Sequence, residues 1–394
     1  MDARTGLPVV GMVGAGQLAR MTQQAAIALG QSLHVLADRP DDSAALACHD
    51  VIVGDYRSLT DLLAFAEGCD VVTFDHEHVP NELVRKLAEA GHTVHPGAGA
   101  LLFAQDKLAM RERLSALGVP CPEWAALPAS GAAAVMADFA ALSRWPLVLK
   151  ATRGGYDGKG VWVVADQAEA APVLASGVEL LVEELVPIKR ELAAVVARSP
   201  FGQGAAWPIV ETVQSGGICV EVLAPAPGLS AAQADEAHSL ALGLAERLGV
   251  VGVLAVEMFE TPDGDLLVNE LAMRPHNSGH WTIEGARTSQ FEQHLRAILD
   301  YPLGATNPTA PAVVMANVLA GPEGVEPAGI DERVHQCMAR WPAAKIHLYG
   351  KTFRPGRKVG HITVLGDDLG PVRTAATSAA RYLSEGDLSE GAAS

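Results

Sequence analysis

Residues 251–281 read VGVLAVEMFETPDGDLLVNELAMRPHNSGHW, two apolar strand patterns joined by the turn residues PDGD. Each pattern contains one acid near its centre, Glu257 in the first and Glu270 in the second. A hairpin of this kind can place both carboxylates on the same side of a sheet, within apolar sequence where an unpaired charge costs several kcal/mol. We therefore expect a cation between them, although a salt-bridged pair would fit the same pattern.

The chemistry of the ligands indicates which cation this hairpin would hold. Carboxylates are hard oxygen ligands, and Asn269 adds a neutral oxygen beside Glu270. So few donors suit Mg²⁺, which keeps some of its waters and shares its coordination shell with a nucleotide. The sequence thus predicts a magnesium site formed by Glu257 and Glu270.

A glycine-rich connection lies in LVLKATRGGYDGKGVWVV at 147–164, where Lys150 ends one strand pattern. Glycines let a loop lie close over phosphates, and Lys159 with the backbone N–H groups can stabilise charge on a transferred phosphoryl group. An ordinary hairpin does not need four glycines, but a glycine-rich loop with a solvated lysine is the plainer interpretation. The chain has no GxxxxGK[ST] element, which disfavours a P-loop fold.

Three shorter clusters are further candidates. The acids of VEELVPIKREL at 182–192 could face an adenine edge and ribose hydroxyls, or could simply be solvated. The segment TFDHEHVP at 73–80 resembles a metal site, but alternate residues of an extended chain point to opposite faces, which disfavours zinc and favours a loop that touches a polar ligand. The basic stretch FRPGRKVGHI at 353–362 is either a solvated turn or part of a phosphate pocket.

A glycine turn also follows the first strand pattern, in GMVGAGQLAR at 11–20. The N–H groups of a helix N-terminus suit an anion. Together with Asp38, which ends the next strand pattern, the glycines partly resemble a dinucleotide site. A tight turn that needs glycine only for its geometry is the alternative.

Composition limits the classes of protein that this chain can represent. Its 394 residues carry a net charge of -17, which opposes binding to nucleic acid or anionic lipid. The five cysteines are scattered singly, which favours reduced core thiols over a disulfide or zinc framework. No signal-peptide core opens the chain and no apolar run approaches the length of a membrane span, so we expect a cytoplasmic protein.

The order of the patterns predicts a mixture of α/β and α+β folding in three domains. Residues 1–105 alternate strand and helix patterns, which indicates an open parallel sheet. Residues 106–305 contain strands linked largely by turns, with segregated helices. Residues 306–394 begin rich in Pro and Gly and form a small β-rich domain with a helix, before a polar tail at 387–394 that we expect to be frayed.

Taken in order, GAGQLARM, KATRGGYDGKG, VEMF with VNELAMRPHNSGHWT, and RPGRKVGH resemble the ATP-grasp ligases, and among them the branch that carboxylates an aminoimidazole ribonucleotide in purine biosynthesis. The resemblance covers about residues 8–366. It implies an ATP-grasp fold with an N-terminal pre-ATP-grasp domain. It also implies the ATP- and bicarbonate-dependent carboxylation of 5-aminoimidazole ribonucleotide to its N5-carboxy product, with ADP and phosphate, by a homodimer.

The resemblance also implies a set of site residues. Those expected around ATP and Mg²⁺ are Lys107, Lys150, Gly155, Tyr156, Asp157, Gly158, Lys159, Gly160, Glu183, Glu184, Leu185, Val186, Glu191, Gln214, Asn269 and Glu270, with Glu257 and Glu270 as the metal ligands. Those expected around the ribonucleotide and bicarbonate are Gly16, Gln17, Glu77, Tyr156, Asp157, Arg274, His276, Asn277, Ser278, Arg357 and Lys358.

Two segments depart from the family pattern. Where an aromatic and acidic EFENVP is expected, the chain reads DHEHVP, so only Glu77 and the following VP carry over. An arginine that helps to hold ATP phosphates is replaced by Phe103, and Lys107 is the residue that could compensate.

The resemblance also gives the polar stretch after Glu270 a purpose. Phosphorylated bicarbonate is very labile, so the site must exclude water and hold the acceptor amine at near-attack distance. Lys150 and Mg²⁺ are expected to neutralise phosphates, and the glycine loop to close over them. Arg274 is expected to stabilise the oxyanions, with Asp157 or His276 accepting the proton of the amine.

Other functions share some of these features. Formate-dependent glycinamide ribonucleotide formyltransferase and biotin carboxylase would keep the paired acids and the glycine loop, but RPHNSGHWT with RPGRKVGH favours the aminoimidazole substrate. A dinucleotide-dependent oxidoreductase would use the first glycine turn and Asp38, and would leave the acids of 257 and 270 without a role. A non-catalytic nucleotide sensor is the remaining alternative.

Overall fold

The computed structural model describes residues 1–155, 158–321 and 329–386. Tyr156, Asp157 and the tail at 387–394, which carried predictions, lie outside these ranges. The first part of the chain forms a four-stranded parallel sheet with strand order β3-β2-β1-β4, as its alternating pattern predicted. Its strands are β1 Val9–Val13, β2 Ser32–Ala37, β3 Asp50–Val53 and β4 Val71–Phe74, and its helices are α1 Gln17–Ala28, α2 Leu59–Ala66 and α3 Asn81–Glu89.

Two short helices lead from this sheet to a small antiparallel sheet. They are α4 Ala98–Gln105 and α5 Lys107–Ala116, and the Asp106 side chain accepts a hydrogen bond from Ala109 N to cap α5. The small sheet has the strand order β5-β8-β6-β7. Its elements are β5 Trp124–Leu127, α6 Ala132–Ser143, β6 Leu147–Ala151, β7 Val161–Val164, α7 Gln167–Leu174 and β8 Leu180–Glu184.

All remaining described strands form one nine-stranded antiparallel sheet. Its main path is β14-β13-β9-β11-β12-β15-β17-β16, and β10 pairs with β9. The strands are β9 Arg190–Arg198, β10 Gly204–Ala206, β11 Val210–Ser215, β12 Ile218–Ala224, β13 Gly252–Glu260, β14 Leu266–Ala272, β15 Ala312–Leu319, β16 Lys345–Leu348 and β17 Lys358–Gly366. The helices are α8 Ala231–Arg247, α9 Thr282–Gly285, α10 Gln290–Ile298, α11 Ile330–Arg340 and α12 Leu369–Glu385.

This large sheet differs from the sequence expectations in two places. The strand-like stretch GAAWPIVETV at 204–213 is divided into β10 and β11 at Trp207 and Pro208, because proline lacks the N–H that a ladder requires. The strands after residue 306 do not form a sheet of their own. Instead β15 pairs with β12 over residues 313–316 and 221–224, so the sheet continues from the middle of the chain into its last part.

The cysteines and the helices can be compared with the expectations of reduced core thiols and of no membrane span. The five cysteines lie outside disulfide bonds; Cys337 is buried, while Cys48, Cys69, Cys121 and Cys219 are only partly buried. In the described ranges, every helix is too short or too polar to cross a membrane.

A buried histidine connects the parallel sheet to the large sheet. Val253 N in β13 donates to His294 Nδ1 at 3.2 Å, so the ring hydrogen of neutral His294 lies on Nε2, which contacts Thr73 Oγ1 in β4 at 2.8 Å. Residue 252 must be glycine because its φ is +107° and a Cβ there would lie 2.8 Å from the His294 ring. Burial lowers the pKa of His294 to about 3.

This lowered pKa predicts a pH-dependent contribution to stability. The histidine has a pKa of about 6.5 in the unfolded chain and about 3 in the folded protein. Between these two pH values the unfolded state binds a proton at this position and the folded state does not. For this group the free energy of unfolding is therefore undiminished above about pH 6.5 and falls by about 1.4 kcal/mol per pH unit below it. Denaturant unfolding of the wild type and of His294→Gln, from about pH 7 to pH 5, should show a steeper loss in the wild type. Equal slopes would contradict the assignment.

Candidate functional site

A cavity of about 850 Å³ lies where the two antiparallel sheets and the first part of the chain meet. One wall comes from β6, β8 and the residues after β8, and the facing wall comes from β13 and β14. Residues from the N-terminal part, such as Gln17 and Glu77, and Lys358 from β17 close one end. The volume falls within the range of small-molecule sites.

Glu257 and Glu270 are direct cross-strand partners in the antiparallel pair of β13 and β14. Side chains paired in this way lie on the same face of a sheet, so the predicted juxtaposition of the two carboxylates is observed. Burial and the neighbouring charge of Glu270 raise the pKa of Glu257 above its ordinary value. Lys107, at the start of α5, forms an ion pair with Glu270, and so supplies one positive charge to this acidic pair.

A buried ion network joins α5 to the wall formed by β6 and β8. Arg111 Nε donates to Glu183 Oε1 at 2.7 Å, and Lys150 Nζ lies 2.6 Å from Glu183 Oε2. Arg111 and Glu183 are only 1% and 2% exposed. Lys150 Nζ also donates to Asn269 Oδ1 at 3.0 Å, so one carboxylate and one amide hold the lysine.

The network fixes the protonation of its members. Burial alone would raise the pKa of Glu183, but Lys150 and Arg111 outweigh it and hold that pKa below the ordinary value. Burial lowers the pKa of Lys150, with Glu183 opposing the shift. The sequence is compatible with a Glu183 side chain that faces an adenine edge or is solvated. Instead both of its oxygens are used internally, and it positions Lys150.

Glu191 and Gln214 lie on neighbouring strands of the large sheet and both line the cavity. The pKa of Glu191 is raised by burial, while a hydrogen bond from the Gln214 side chain opposes that shift. Because Gln214 shares in this bond, the two side chains form one polar edge. Residues 184–186 line the cavity with them.

The polar stretch after β14 encloses the other end of the cavity. Arg274 forms an ion pair with Glu77 at 3.1 Å, and Glu77 also accepts a hydrogen bond from Met273 N at 3.1 Å. The amides of Asn277 and Asn317 bond to each other in both directions, at 3.0 and 2.8 Å. These contacts connect the N-terminal part and β15 to the segment that we expected to surround the reacting groups.

Most of the predicted site residues come together in this cavity. Those that line it are Gln17, Glu77, Lys107, Lys150, Gly155, Gly158, Glu183, Glu184, Leu185, Val186, Glu191, Gln214, Glu257, Asn269, Glu270, Arg274, His276, Asn277 and Lys358, and His280 joins them. Tyr156 and Asp157 lie outside the described residues. Of the described candidates, those not among the lining residues are Gly16, Lys159, Gly160, Ser278 and Arg357.

Contacts made elsewhere in the protein explain three of these exceptions. Gly16 N and Ala19 N donate to the Asp75 carboxylate, so an internal acid occupies the anion position at the start of α1. Gly16 is required there because a Cβ would lie 2.4 Å from Asp75 Oδ2. Ser278 is buried and its hydroxyl bonds to His276 at 2.9 Å. The Arg357 side chain donates to Thr352 at the surface.

Phe103, which stands where the family arginine was expected, packs against the hydrophobic core formed around α5, α8 and β14. It therefore serves packing at this position. Lys107, one turn further along the chain, is the cation that reaches the acidic pair.

Sequence reasoning missed three residues that support the site: Arg111, Asn317 and Gln290. Each acts through hydrogen bonds to backbone groups or side chains that are far away in sequence. The only local signal was a polar residue within an apolar pattern, such as Asn317 in AVVMANVL. That signal says that a partner is required but does not identify it.

Glu257 and Glu270 are the two candidate metal ligands that lie together. The described residues contain no cluster of three or more His, Cys, Asp or Glu arranged to hold a metal ion. The two carboxylates are paired, and the pKa of one of them is raised. Such a pair still suits a cation whose remaining ligands are waters and phosphate oxygens, and Mg²⁺ is usually coordinated in this way. The residues therefore fit magnesium bound together with a nucleotide.

Three family models match the chain. The ribonucleotide synthetase preATP-grasp domain matches residues 7–105, and the ATP-grasp domain matches residues 112–291. The phosphoribosylaminoimidazole carboxylase C-terminal domain matches residues 313–375.

Characterised relatives agree with these models. The N5-carboxyaminoimidazole ribonucleotide synthase of Mycobacterium bovis is 58% identical over 98% of this chain and 90% of its own length. The enzyme of the same name from Corynebacterium ammoniagenes is 49% identical over 96% of this chain and 92% of its own length. The crystal structure of N5-carboxyaminoimidazole synthase from Aspergillus clavatus with ADP and 5-aminoimidazole ribonucleotide matches with a TM-score of 0.86 at 32% identity, covering 95% of this chain and 98% of that one.

The buried network predicts a large effect of replacing Arg111. Arg111→Met removes the donor to Glu183 and leaves the carbonyls of Val268 and Asn269 without it, and breaking such a pair costs about 3–5 kcal/mol. Arg113 is a matched control, because it lies on the same helix and its side chain, among the residues that the structure describes, bonds only to Arg247 O. Arg113→Met should change the free energy of unfolding by less than about 0.5 kcal/mol. Denaturant titration measures both, and similar values for the two variants would show that the network contributes little.

Proposed function

The chain belongs to the N5-carboxyaminoimidazole ribonucleotide synthase family of ATP-grasp ligases, and from that membership we propose how its own residues carry out the reaction. It is an ATP-dependent ligase of purine biosynthesis. We propose that it joins the carboxyl group of bicarbonate to the exocyclic amine of 5-aminoimidazole ribonucleotide. ATP is converted to ADP and phosphate, by way of carboxyphosphate.

One observation carries this proposal. The cross-strand pair Glu257 and Glu270 and the polar segment containing Arg274 and His276 line the same cavity. A site for a nucleotide phosphate thus opens directly onto a site for an anionic substrate. This is what is required of an enzyme that forms a labile acyl phosphate and uses it before water does.

At the nucleotide end, Lys150 is held by Glu183 and Asn269 in a fixed position and would neutralise phosphate oxygens. Glu191 and Gln214 would hold the ribose, and residues 184–186 the base. Lys107 has the Glu270 carboxylate as its partner in this structure. We propose that in the nucleotide complex Lys107 would contact the phosphates, in the role that the missing arginine would otherwise have.

Glu257 and Glu270 would hold the Mg²⁺ ion, with Asn269 beside them. When bound, this ion supplies positive charge that offsets the negative charge of the transferred phosphoryl group. The protein contributes the two carboxylates on one face, and the burial that raises the pKa of Glu257 makes a cation favourable there.

At the substrate end, Arg274 and Lys358 provide the positive charge, with Gln17, Glu77 and Asn277 as polar partners. We propose that Arg274, oriented by Glu77, stabilises the oxyanions of bicarbonate and carboxyphosphate. In this proposal the three predicted domains have different roles. Residues 106–305 bind ATP, while residues 1–105 and 306–394 complete the ribonucleotide site. Asp157 and His276 are the two candidates for accepting the proton of the amine.

Two further proposals follow from family membership. The first is a homodimer, which light scattering of the purified protein would test. The second is action in the cytoplasm, where ATP and nucleotide precursors are available; fractionation of cells that express the chain would test it.

The reaction itself is tested by withholding each substrate in turn. With ATP, Mg²⁺, bicarbonate and 5-aminoimidazole ribonucleotide present, ADP should be released continuously, and omission of any one of them should stop it. ADP release that continues undiminished without bicarbonate would exclude the carboxylase. Glycinamide ribonucleotide with formate should give no ADP; turnover on that pair would indicate the related formyltransferase instead.

The acidic pair predicts a loss of turnover without a loss of folding. Glu270→Gln keeps the shape of the side chain but removes the charge that would hold Mg²⁺, and should lower kcat by at least about 10³-fold, as expected when a charge-stabilising group is removed. Glu246→Gln, on the exposed side of α8, is the control and should leave kcat unchanged. A Glu270→Gln enzyme with wild-type kcat at saturating Mg²⁺ would remove the acid from the mechanism.

A further inference from the structure

The side chain of Gln290 is buried beneath the polar segment and is held by the backbone of one residue. His276 N donates to Gln290 Oε1, and Gln290 Nε2 donates to His276 O, both at 2.8 Å. Gln290 is fully buried, and a Cβ at Gly279 would lie 2.3 Å from its Oε1. Because one amide atom faces an N–H and the other a carbonyl, the orientation of the amide is determined.

This orientation determines the state of a neighbouring histidine. The second hydrogen of Gln290 Nε2 points to His280 Nδ1, 3.0 Å away. Since Gln290 Nε2 can only donate, His280 Nδ1 must accept. A neutral imidazole has one hydrogen, so in His280 it lies on Nε2.

The surroundings keep His280 neutral. Burial lowers its pKa well below the ordinary value, and the positive charges of Lys358 and Arg274 act in the same direction. The ring packs against Phe291, Tyr349 and His361, with ring centres 5.2 to 6.4 Å apart. No carboxylate is among these neighbours, so none of them favours the protonated ring.

His276 is fixed in a similar way. Its Nδ1 accepts a hydrogen bond from Ser278 N at 3.3 Å, which leaves its hydrogen on Nε2, 3.4 Å from Glu257 Oε1. Both histidines that line the cavity here therefore present an N–H group. A nitrogen that carries a hydrogen cannot accept the proton of the amine.

We propose that Gln290 is a positioning residue that holds His280 as an Nε2–H donor, and that His280 donates to an anionic oxygen of the substrates at the Arg274 and Lys358 end of the cavity. This inference rests on the proposed function for the identity of the substrates, but the assignment of the hydrogen does not. It also assigns proton acceptance to a group other than His276 and His280. The anionic oxygen belongs either to the ribonucleotide or to bicarbonate, which share this chemistry.

The first test is spectroscopic and uses the free enzyme. In protein labelled with ¹⁵N in histidine, long-range ¹⁵N–¹H correlation distinguishes the two neutral forms of each ring, and the His280→Gln spectrum identifies the resonances of His280. We expect unprotonated Nδ1 and protonated Nε2. Protonated Nδ1 in the wild type would overturn the proposal, whatever reaction the enzyme catalyses.

Gln290→Glu replaces the amide donor that determines which ring nitrogen of His280 carries the hydrogen. An ionised carboxylate can only accept, so in spectra recorded above the pKa of the introduced carboxyl group the hydrogen of His280 should move to Nδ1. Gln293 provides the matched control, because it lies on the same helix, is also fully buried, and bonds to the N–H and carbonyl of Gly304 in the same two-way manner. Gln293→Glu should leave the His280 spectrum unchanged. A shift in both variants, or in neither, would contradict the role of Gln290.

The kinetic test compares two replacements of His280. Glutamine can place an amide N–H close to the position of Nε2, whereas leucine cannot donate. His280→Leu should lower kcat/KM by about 10²-fold, the usual effect of losing one donor to a reacting oxyanion, and His280→Gln by less than about tenfold. A rise in KM for the ribonucleotide or for bicarbonate identifies which one His280 contacts. Equal losses in the two variants would show that His280 only fills space.

Discussion

The site depends on one buried carboxylate held between two cations. Glu183 is almost completely removed from water, and its charge is tolerated because Arg111 and Lys150 each contact one of its oxygens. Arg111 comes from α5, Lys150 from β6 and Glu183 from β8, and Arg111 also bonds to the backbone of β14. The network therefore fixes the small sheet against the large one, and with it the width of the cavity between them. A buried ion group of this kind is costly to form but strongly opposes partial rearrangement.

The acidic pair on the facing wall, unlike Glu183, is not held between two cations. Glu257 and Glu270 lie side by side with only Lys107 as a cationic partner described for Glu270, and the pKa of Glu257 is raised. Such an arrangement is unfavourable until a cation joins it. The structure thus keeps one charge cluster complete and leaves the other ready for a ligand. The first maintains the shape of the cavity, and the second is the site that we propose for a metal ion.

The polar segment after β14 is also supported from a distance. Glu77 reaches it from the N-terminal part, Asn317 from β15, and Gln290 from α10. Because the large sheet continues through β12 and β15 into the last part of the chain, these supports belong to one connected framework. The histidines of the segment are consequently fixed in orientation and in the position of their hydrogens, which is why we propose a donor role for His280. Asp157 then remains our proposed acceptor of the amine proton.

The sequence by itself determined the class of fold, the acidic hairpin and the glycine-rich connection after Lys150. These features depend on local patterns: alternating strands and helices, two acids at matching positions around a turn, and glycines beside a lysine. Family resemblance added the substrates. Only the tertiary structure decided that Glu183 faces inward, that Asp75 occupies the first glycine turn, and that the strands after residue 306 extend the central sheet. The physical reason is that a buried polar group requires a partner, and the sequence shows the requirement, whereas packing between distant segments selects the partner.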